Sequence, residues 1–435
     1  MGALALLLRI LLVYSCSILP HPALSLKILQ IAPGLSSSHI LFNNRLAEML
    51  TEQGHNVTLW MPVEVLPGGV TQKGVDAPLP GVRKLHVHFF ANESMMQLVQ
   101  DLAFKGRGQT LFLMSRMPVF QKIWLEACRF QLEDQQDLLD QLRMETFDLA
   151  IMHYLDVCPL ALVHTVGIKK NVWLSPGLYV TDFGAKKMGI PQNPSYVPSM
   201  MSFSSDYMSF VERVQNALWI SFSLLAELGG FYKSQADLYQ EPPNQDNPNL
   251  LKLATEVLTL FINGDPVMDF PRPLPAGFVF TGSMQKTQGH RKVLQLSEEW
   301  LKIVNGEKKG VILFSLGTVA NTSSMPVEMK DAFFQAFQAF SDYQVIWRIE
   351  GSLPANIEHA SHIRVVKWLP QSDLLNHHMT KVFITHGGYN SLLESTKAGV
   401  PMILMPLFAD QYCNTMRAVC FQCTEILITY GGHHH

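Results

Sequence analysis

The strongest constraint on this chain is the run 383–411, FITHGGYNSLLESTKAGVPMILMPLFADQ. The apolar residues at 381–385 predict a buried strand that breaks at Gly387 and Gly388. Asn390, a good N-cap, predicts the restart as a helix. A strand running into glycines and then a helix N-terminus is a ready anion site, because backbone can come close and the free N–H groups and helix dipole face the ligand. His386 stands at the mouth of that turn and Glu394 lies in the helix. A second strand over 401–407 ends in Asp410 and Gln411, a pair able to hold sugar hydroxyls. Together these residues predict a phosphate-bearing, hydroxyl-rich ligand at the C-terminal end of a parallel sheet. The competing reading is an ordinary strand–turn–helix with a glycine-rich loop.

Around that run the chain reads as two βα series. Residues 26–32 (LKILQIA) form an apolar strand turned by Pro33 and Gly34. Ser36 to Ser38 offer caps for a helix with apolar Ile40, Phe42, Leu46, Met49 and Leu50, which Gly54 ends. Residues 56–62 (NVTLWMP) return as a strand, which completes a βαβ unit. Further strands are expected at 82–90, 147–155, 171–175, 258–263 and 277–281, with one long amphipathic helix over 120–144. The proline-rich 191–198 predicts an irregular loop on the acceptor side, and 200–238 is apolar with a helical period. The polar, aperiodic 284–294 reads as a linker. A second series follows: strand 310–316, helix 326–340, strands 344–349 and 364–368, then the run described above. The expected fold is α/β, with two Rossmann-like doubly wound domains, 26–283 and 295–435, facing a cleft.

The opening 25 residues have an apolar core and end Ala23-Leu24-Ser25, a small-x-small cleavage pattern that predicts a secretory signal peptide. A net charge of −3 with only 16% charged residues gives no basic surface, so no nucleic-acid partner is expected. After residue 25 the best apolar run, 217–226, is too short to span a bilayer, and it suits core packing, acceptor lining or peripheral membrane contact. Cys128 and Cys158 read as buried small residues or as one disulfide. Cys420 and Cys423, with Cys413 and His433 to His435, form only a weak zinc pattern. Sequons at Asn56, Asn92 and Asn321 permit glycosylation, with Asn56 expected on a buried strand.

The spacing of THGG, Asn390-Ser391, Glu394, Pro401, Pro406 and Asp410-Gln411 resembles the donor signature of the UDP-glycosyltransferases, the group that contains the UDP-glucuronosyltransferases. The resemblance implies a GT-B arrangement, UDP-glucuronate or UDP-glucose as co-substrate, and a small lipophilic acceptor bearing a hydroxyl. It implies no cofactor and no metal, since hydrogen-bond donors and a helix dipole can neutralise departing UDP. Trp368 would stack on uracil and Gln371 would read the base edge or ribose. Thr318, His386, Gly388, Asn390 and Ser391 would contact the diphosphate, Glu394 the ribose hydroxyls, and Asp410 and Gln411 the sugar. The family usually has serine where Thr318 stands.

Ser38-His39 matches the family's short Ser-His motif, whose histidine takes the acceptor proton. Imidazole suits that task at neutral pH. With His39 as base and no second nucleophile, direct attack inverts the anomeric carbon. The family's orienting aspartate falls by spacing on His153, with Asp156 just beyond it. Either Asp156 takes the role after a local shift, or a neutral His153 hydrogen-bonds His39 without the charge support of a carboxylate. Family members normally continue further and end in a membrane-spanning helix. The second domain is therefore expected to be incomplete and the anchor absent, in a protein of the secretory pathway, either in the endoplasmic reticulum lumen or secreted. The alternative is a catalytically weak donor-binding partner that dimerises with itself or with full-length relatives. A nucleotide-sugar epimerase would need GxGxxG after the first strand, and PGLSSSH is not that motif.

Overall fold

The computed structural model describes residues 25–426 except 35, 66–73, 91–93, 105–108, 179, 201, 203, 227–229, 283, 285–295, 307, 352, 354–359 and 421–423. Residues 1–24 of the expected signal peptide, the linker after Met284, the Asn92 sequon, Cys423 and His433 to His435 lie outside the described residues.

Most of the strands are nearly continuous apolar runs, as strands covered on both faces must be, whereas residues 82–89 (VRKLHVHF), at a sheet edge, interleave charged and histidine side chains. The first seven are β1 (Lys27–Ile31), β2 (Asn56–Glu64), β3 (Val82–Phe89), β4 (Leu149–His153), β5 (Asn171–Ser175), β6 (Leu260–Ile262) and β7 (Phe278–Phe280). They form one sheet in the order β3-β2-β1-β4-β5-β6-β7, every pair parallel. The second sheet holds β8 (Val311–Ser315), β9 (Gln344–Arg348), β10 (Ile363–Val366), β11 (Thr380–Thr385), β12 (Met402–Leu404) and β13 (Thr424–Ile426). Its order is β10-β9-β8-β11-β12-β13, again all parallel. Strand order reverses beside β1 in one sheet and beside β8 in the other. The loops leaving the carboxyl ends of these strands are where such sheets bind ligands. Two parallel-sheet α/β domains of this kind are the expected GT-B arrangement.

Two local expectations are corrected and one open alternative is decided. The single helix over 120–144 is two, Gln109–Glu133 and Gln136–Met144. The first runs through Pro118, which stands on its exposed side. At the break Gln136 Nε2 donates to the Leu132 carbonyl, giving that orphaned acceptor a side-chain partner. Asn56 is exposed rather than buried, because it opens β2 and the burial begins at Val57. Cys128 and Cys158 form a disulfide, with Cα atoms 5.7 Å apart, that ties the first of these helices to the start of helix Cys158–Val166. The apolar segment 200–238 carries helices Phe210–Ala226 and Tyr232–Tyr239, the first exposing Phe210, Val211 and Leu218. Among the described residues no helix is long and apolar enough to cross a membrane.

The two domains are held together by apolar and by ionic contacts. Tyr389 and Leu393, from the helix that follows β11, pack into the core of the first sheet. Arg417 donates from Nε to Asp269 Oδ1 at 2.9 Å and from Nη2 to the Leu178 carbonyl at 3.3 Å. Arg272 donates to the other oxygen of Asp269 at 2.5 Å. All three charged side chains are buried, so removing one partner strands the others without water. Arg417→Met is expected to destabilise the protein by about 3 kcal/mol, near the lower end for breaking a buried pair because Asp269 keeps Arg272. A urea titration would check this, and an unchanged midpoint would refute the assignment.

Candidate active site

A cleft of about 580 Å³ lies between the two sheets. On its first-domain side, β1 feeds helix Ser37–Glu52, and Ser36 caps that helix by accepting from the His39 N–H. Capping fixes the backbone of the first turn and so aims His39 into the cleft, where its ring is partly exposed. Burial of the rest of the ring holds its pKa down to about 4, so it is neutral at pH 7. His39 Nδ1 lies 2.8 Å from Ser36 Oγ, which in turn lies 2.9 Å from Ser38 Oγ.

Neither expected orienting partner reaches His39. The His153 ring stands edge-on to it at 6.2 Å between centroids, and His153 Nε2 lies 2.9 Å from Asn43 Oδ1. That oxygen also accepts from Gln30 Nε2 at 2.9 Å, so His153 carries its proton on Nε2 and its buried Nδ1 is left without a partner. Asn43 completes the link by donating Nδ2 to the His39 carbonyl at 2.9 Å. Asp156 is drawn instead to Gln235, whose Nε2 lies 3.3 Å from its carboxylate while Oε1 accepts from the Val157 N–H. Burial pushes Asp156 up to about 7. Both His153 and Asp156 line a separate, mostly apolar cavity with Phe89, Ile123 and Trp124.

Every donor-side candidate lines the same cleft as His39. The helix after β11 is Tyr389–Ala398 with Gly388 as its N-cap, so Asn390 lies inside the first turn rather than capping it. The buried Tyr389 has pulled the start forward. Gly317, at φ 74°, and Gly388 enclose His386, and a Cβ on either would sit 2.5 Å from its ring. Desolvation, helped by the nearby Arg348 charge, holds His386 near pKa 4, so it too is neutral. Thr318 follows Gly317 on the cleft wall, and Trp368, 46% exposed, lines the same cleft. Gln371 Nε2 donates to Glu394 Oε2 at 2.8 Å and to Ser391 Oγ at 3.2 Å. Burial raises the pKa of Glu394, although Arg45 approaches it across the cleft at 3.8 Å.

A tight turn with Ala409 at φ 54° presents Asp410 and Gln411. Asn414 donates to Asp410 at 2.7 Å, and Gln411 Oε1 accepts from the Leu407 and Phe408 N–H groups at 2.8 and 3.1 Å. The strand expected over 401–407 is shorter, ending at Leu404: the Met405 N–H still donates to the Thr385 carbonyl at 2.8 Å, but Pro406 has no N–H to pair and the chain then turns to Gln411. Two cleft cations are not evident from sequence. Arg348 ends β9 and donates to the Gly317 and Lys367 carbonyls, and its only signal is a lone cation in an apolar run. Arg45 lies on the helix Ser37–Glu52, where it resembles any solvated helix charge until the second domain is present. For the weak zinc pattern, no group of three or more His, Cys, Asp or Glu is placed to hold a metal among the described residues.

Residues 27–424 match the family described as UDP-glucoronosyl and UDP-glucosyl transferase. The chain is 37% identical over 412 residues to ugt-60 of Caenorhabditis elegans, provisionally named a UDP-glucuronosyltransferase, covering 93% of this chain and 80% of that protein. It is 31% identical over 403 residues to human UDP-glucuronosyltransferase 3A2, covering 90% and 72%. Among solved structures, Phytolacca americana UGT2, complexed with UDP-2fluoro-glucose and pterostilbene, is similar in fold at a TM-score of 0.57 and 17% identity, covering 94% of this chain and 86% of that one. The glycotransferase of kitacinnamycin is similar at 0.58 and 15%, covering 93% and 87%. The family match spans both sheets and the cleft between them, and on that ground the chain belongs to the UDP-glucuronosyl and UDP-glucosyl transferases, enzymes that transfer a glycosyl group from a UDP-sugar.

Proposed function

We propose that this protein transfers a glucuronosyl or glucosyl group from its UDP-sugar to the hydroxyl of a small lipophilic acceptor, with inversion and with His39 as general base. The observation that carries the reading is the convergence of a neutral, half-open histidine and a glycine-framed helix N-terminus on one cleft. In this reading the diphosphate lies against the Gly388–Ser391 turn, His386 and Thr318, with Trp368 stacked on uracil. Gln371 and Glu394 hold the base and ribose, and Asp410 and Gln411 hold the sugar. Arg348, paired with Glu350 at 2.9 Å, places hydrogen-bond donors and a partly balanced positive charge beside the site of the leaving group. No metal or cofactor is needed for that neutralisation. A secretory-lumen location is part of the proposal, supported by the opening apolar segment and by the disulfide, which persists in oxidising compartments.

His39→Ala is expected to lower acceptor-dependent UDP release about 10²- to 10⁴-fold while leaving calorimetric UDP binding unchanged. UDP binding with no turnover in the unmutated protein would favour a donor-binding partner that pairs with relatives. Glu394→Ala, which also strands Gln371, should weaken UDP about 10-fold or more, in line with losing a hydrogen bond to a charged group. The pH dependence follows from burial of the base. His39 is unprotonated above its lowered pKa, so kcat/KM should stay level from neutral pH downward and fall only near pH 4, not near 6.5. An acid limb at 6.5 would show that His39 is not desolvated in the working enzyme.

A further inference from the structure

His39 is held by a hydroxyl, and its hydrogen bonds can be followed completely. Ser36 Oγ accepts the His39 backbone N–H at 3.4 Å, lies 2.8 Å from Nδ1, and lies 2.9 Å from Ser38 Oγ. A hydroxyl has one proton and two lone pairs. If its proton goes to Ser38, both lone pairs are free for the two N–H groups of His39. A general base at His39 requires this arrangement, with the proton on Nδ1 and the Nε2 lone pair left to accept. The backbone of the same residue is pinned from behind, since Asn43, held by Gln30 and His153, donates to the His39 carbonyl. Among the described residues no carboxylate hydrogen-bonds the ring, because Asp156 is engaged by Gln235 and Glu394 by Gln371 and Arg45.

We infer that Ser36 is the positioning residue for His39, and that the enzyme accepts phenolic hydroxyls in preference to aliphatic alcohols. This rests on the transferase reading above. In the step concerned, the acceptor oxygen forms its bond to the anomeric carbon as the bond from that carbon to the phosphate oxygen breaks. The acceptor proton passes to His39 Nε2, and the electron pair of the broken bond leaves with UDP. The ring becomes positive as this happens, and its Nδ1–H then points at a neutral hydroxyl. A carboxylate there would stabilise that charge, whereas a hydroxyl gives only a dipole. The base therefore contributes little driving force, and the acceptor must supply the acidity itself. The neighbouring cavity suits the same class, since Phe89, Ile123 and Trp124 offer flat apolar walls.

The test measures kcat and KM of the purified protein on para-substituted phenols of graded acidity and on cyclohexylmethanol. The variants Ser36→Ala, Ser36→Thr and Ser36→Asp are measured alongside. We expect rates on phenols to rise with acidity and to exceed the alcohol by about 100-fold or more. Ser36→Ala should lower kcat about 10-fold with the donor KM unchanged, and Ser36→Thr should restore it. Ser36→Asp keeps the helix cap and supplies the missing carboxylate, so it should raise turnover of the alcohol more than that of the phenols. Equal use of alcohol and phenols, or a Ser36→Asp variant that binds UDP without that selective gain, would overturn the inference while leaving the transferase intact. Absence of turnover on every acceptor would overturn the transferase reading and this inference with it.

Discussion

The two domains meet where Arg417 of the second reaches into the first. A guanidinium buried between two domains must be neutralised, and Asp269 does this from the first domain while Arg272 takes the carboxylate's other oxygen. The geometry admits little freedom, because a planar fork satisfied on Asp269 and on the Leu178 carbonyl fixes both distance and angle. Helix Gln411–Cys420 carries Arg417 and begins at Gln411, one of the sugar-side candidates. The ion cluster that joins the domains thus also sets where Asp410 and Gln411 stand relative to His39. Tyr389 does the same at the other end of the site, as its ring sits in the first domain's core while the next residues form the anion-facing turn. The two domains are registered by Arg417, Asp269 and Arg272, none of which lines the cleft.

Electrostatics inside the cleft favour neutral histidines. His39 and His386 are both desolvated, and neither has a carboxylate partner to draw a proton onto it. For His386 this suits a hydrogen-bond role beside a diphosphate, where Arg348 already supplies the charge. For His39, which we propose as the base, it keeps the ring unprotonated over the whole physiological range at the cost of base strength. His153 fits the same pattern, since burial lowers its pKa and its Nε2 is set against Asn43 Oδ1.

The sheet strands were legible in the sequence because a strand buried on both faces is a continuous apolar run, and few other arrangements use one. The centres of β1, β4, β5, β8 and β11 fall where those runs fall. Their ends were less legible, since ends depend on which backbone groups find partners elsewhere. The strand at 401–407 stops early because Pro406 has no N–H for the ladder and the N–H groups after it, of Leu407 and Phe408, turn to Gln411. The donor-side residues were readable because they cluster in one local run. The surroundings of His39 were not, because they depend on contacts over long separations, His153 with Asn43 and Asp156 with Gln235. Arg45 and Arg348 escaped for the same reason, each being ordinary in its own segment.

The Cys128–Cys158 bond joins two helices at the wall of the apolar cavity, since Cys158 lines that cavity beside Asp156, and Ala127, Trp124 and Ile123 lie on the helix that carries Cys128. The donor cleft has no such cross-link among the described residues. The two halves of the enzyme therefore mature by different chemistry. One is shaped by folding alone, and the other reaches its final form only when two electrons have been removed from a pair of thiols. Protein made in a reducing compartment would carry a finished cleft between its domains next to an unfinished apolar cavity.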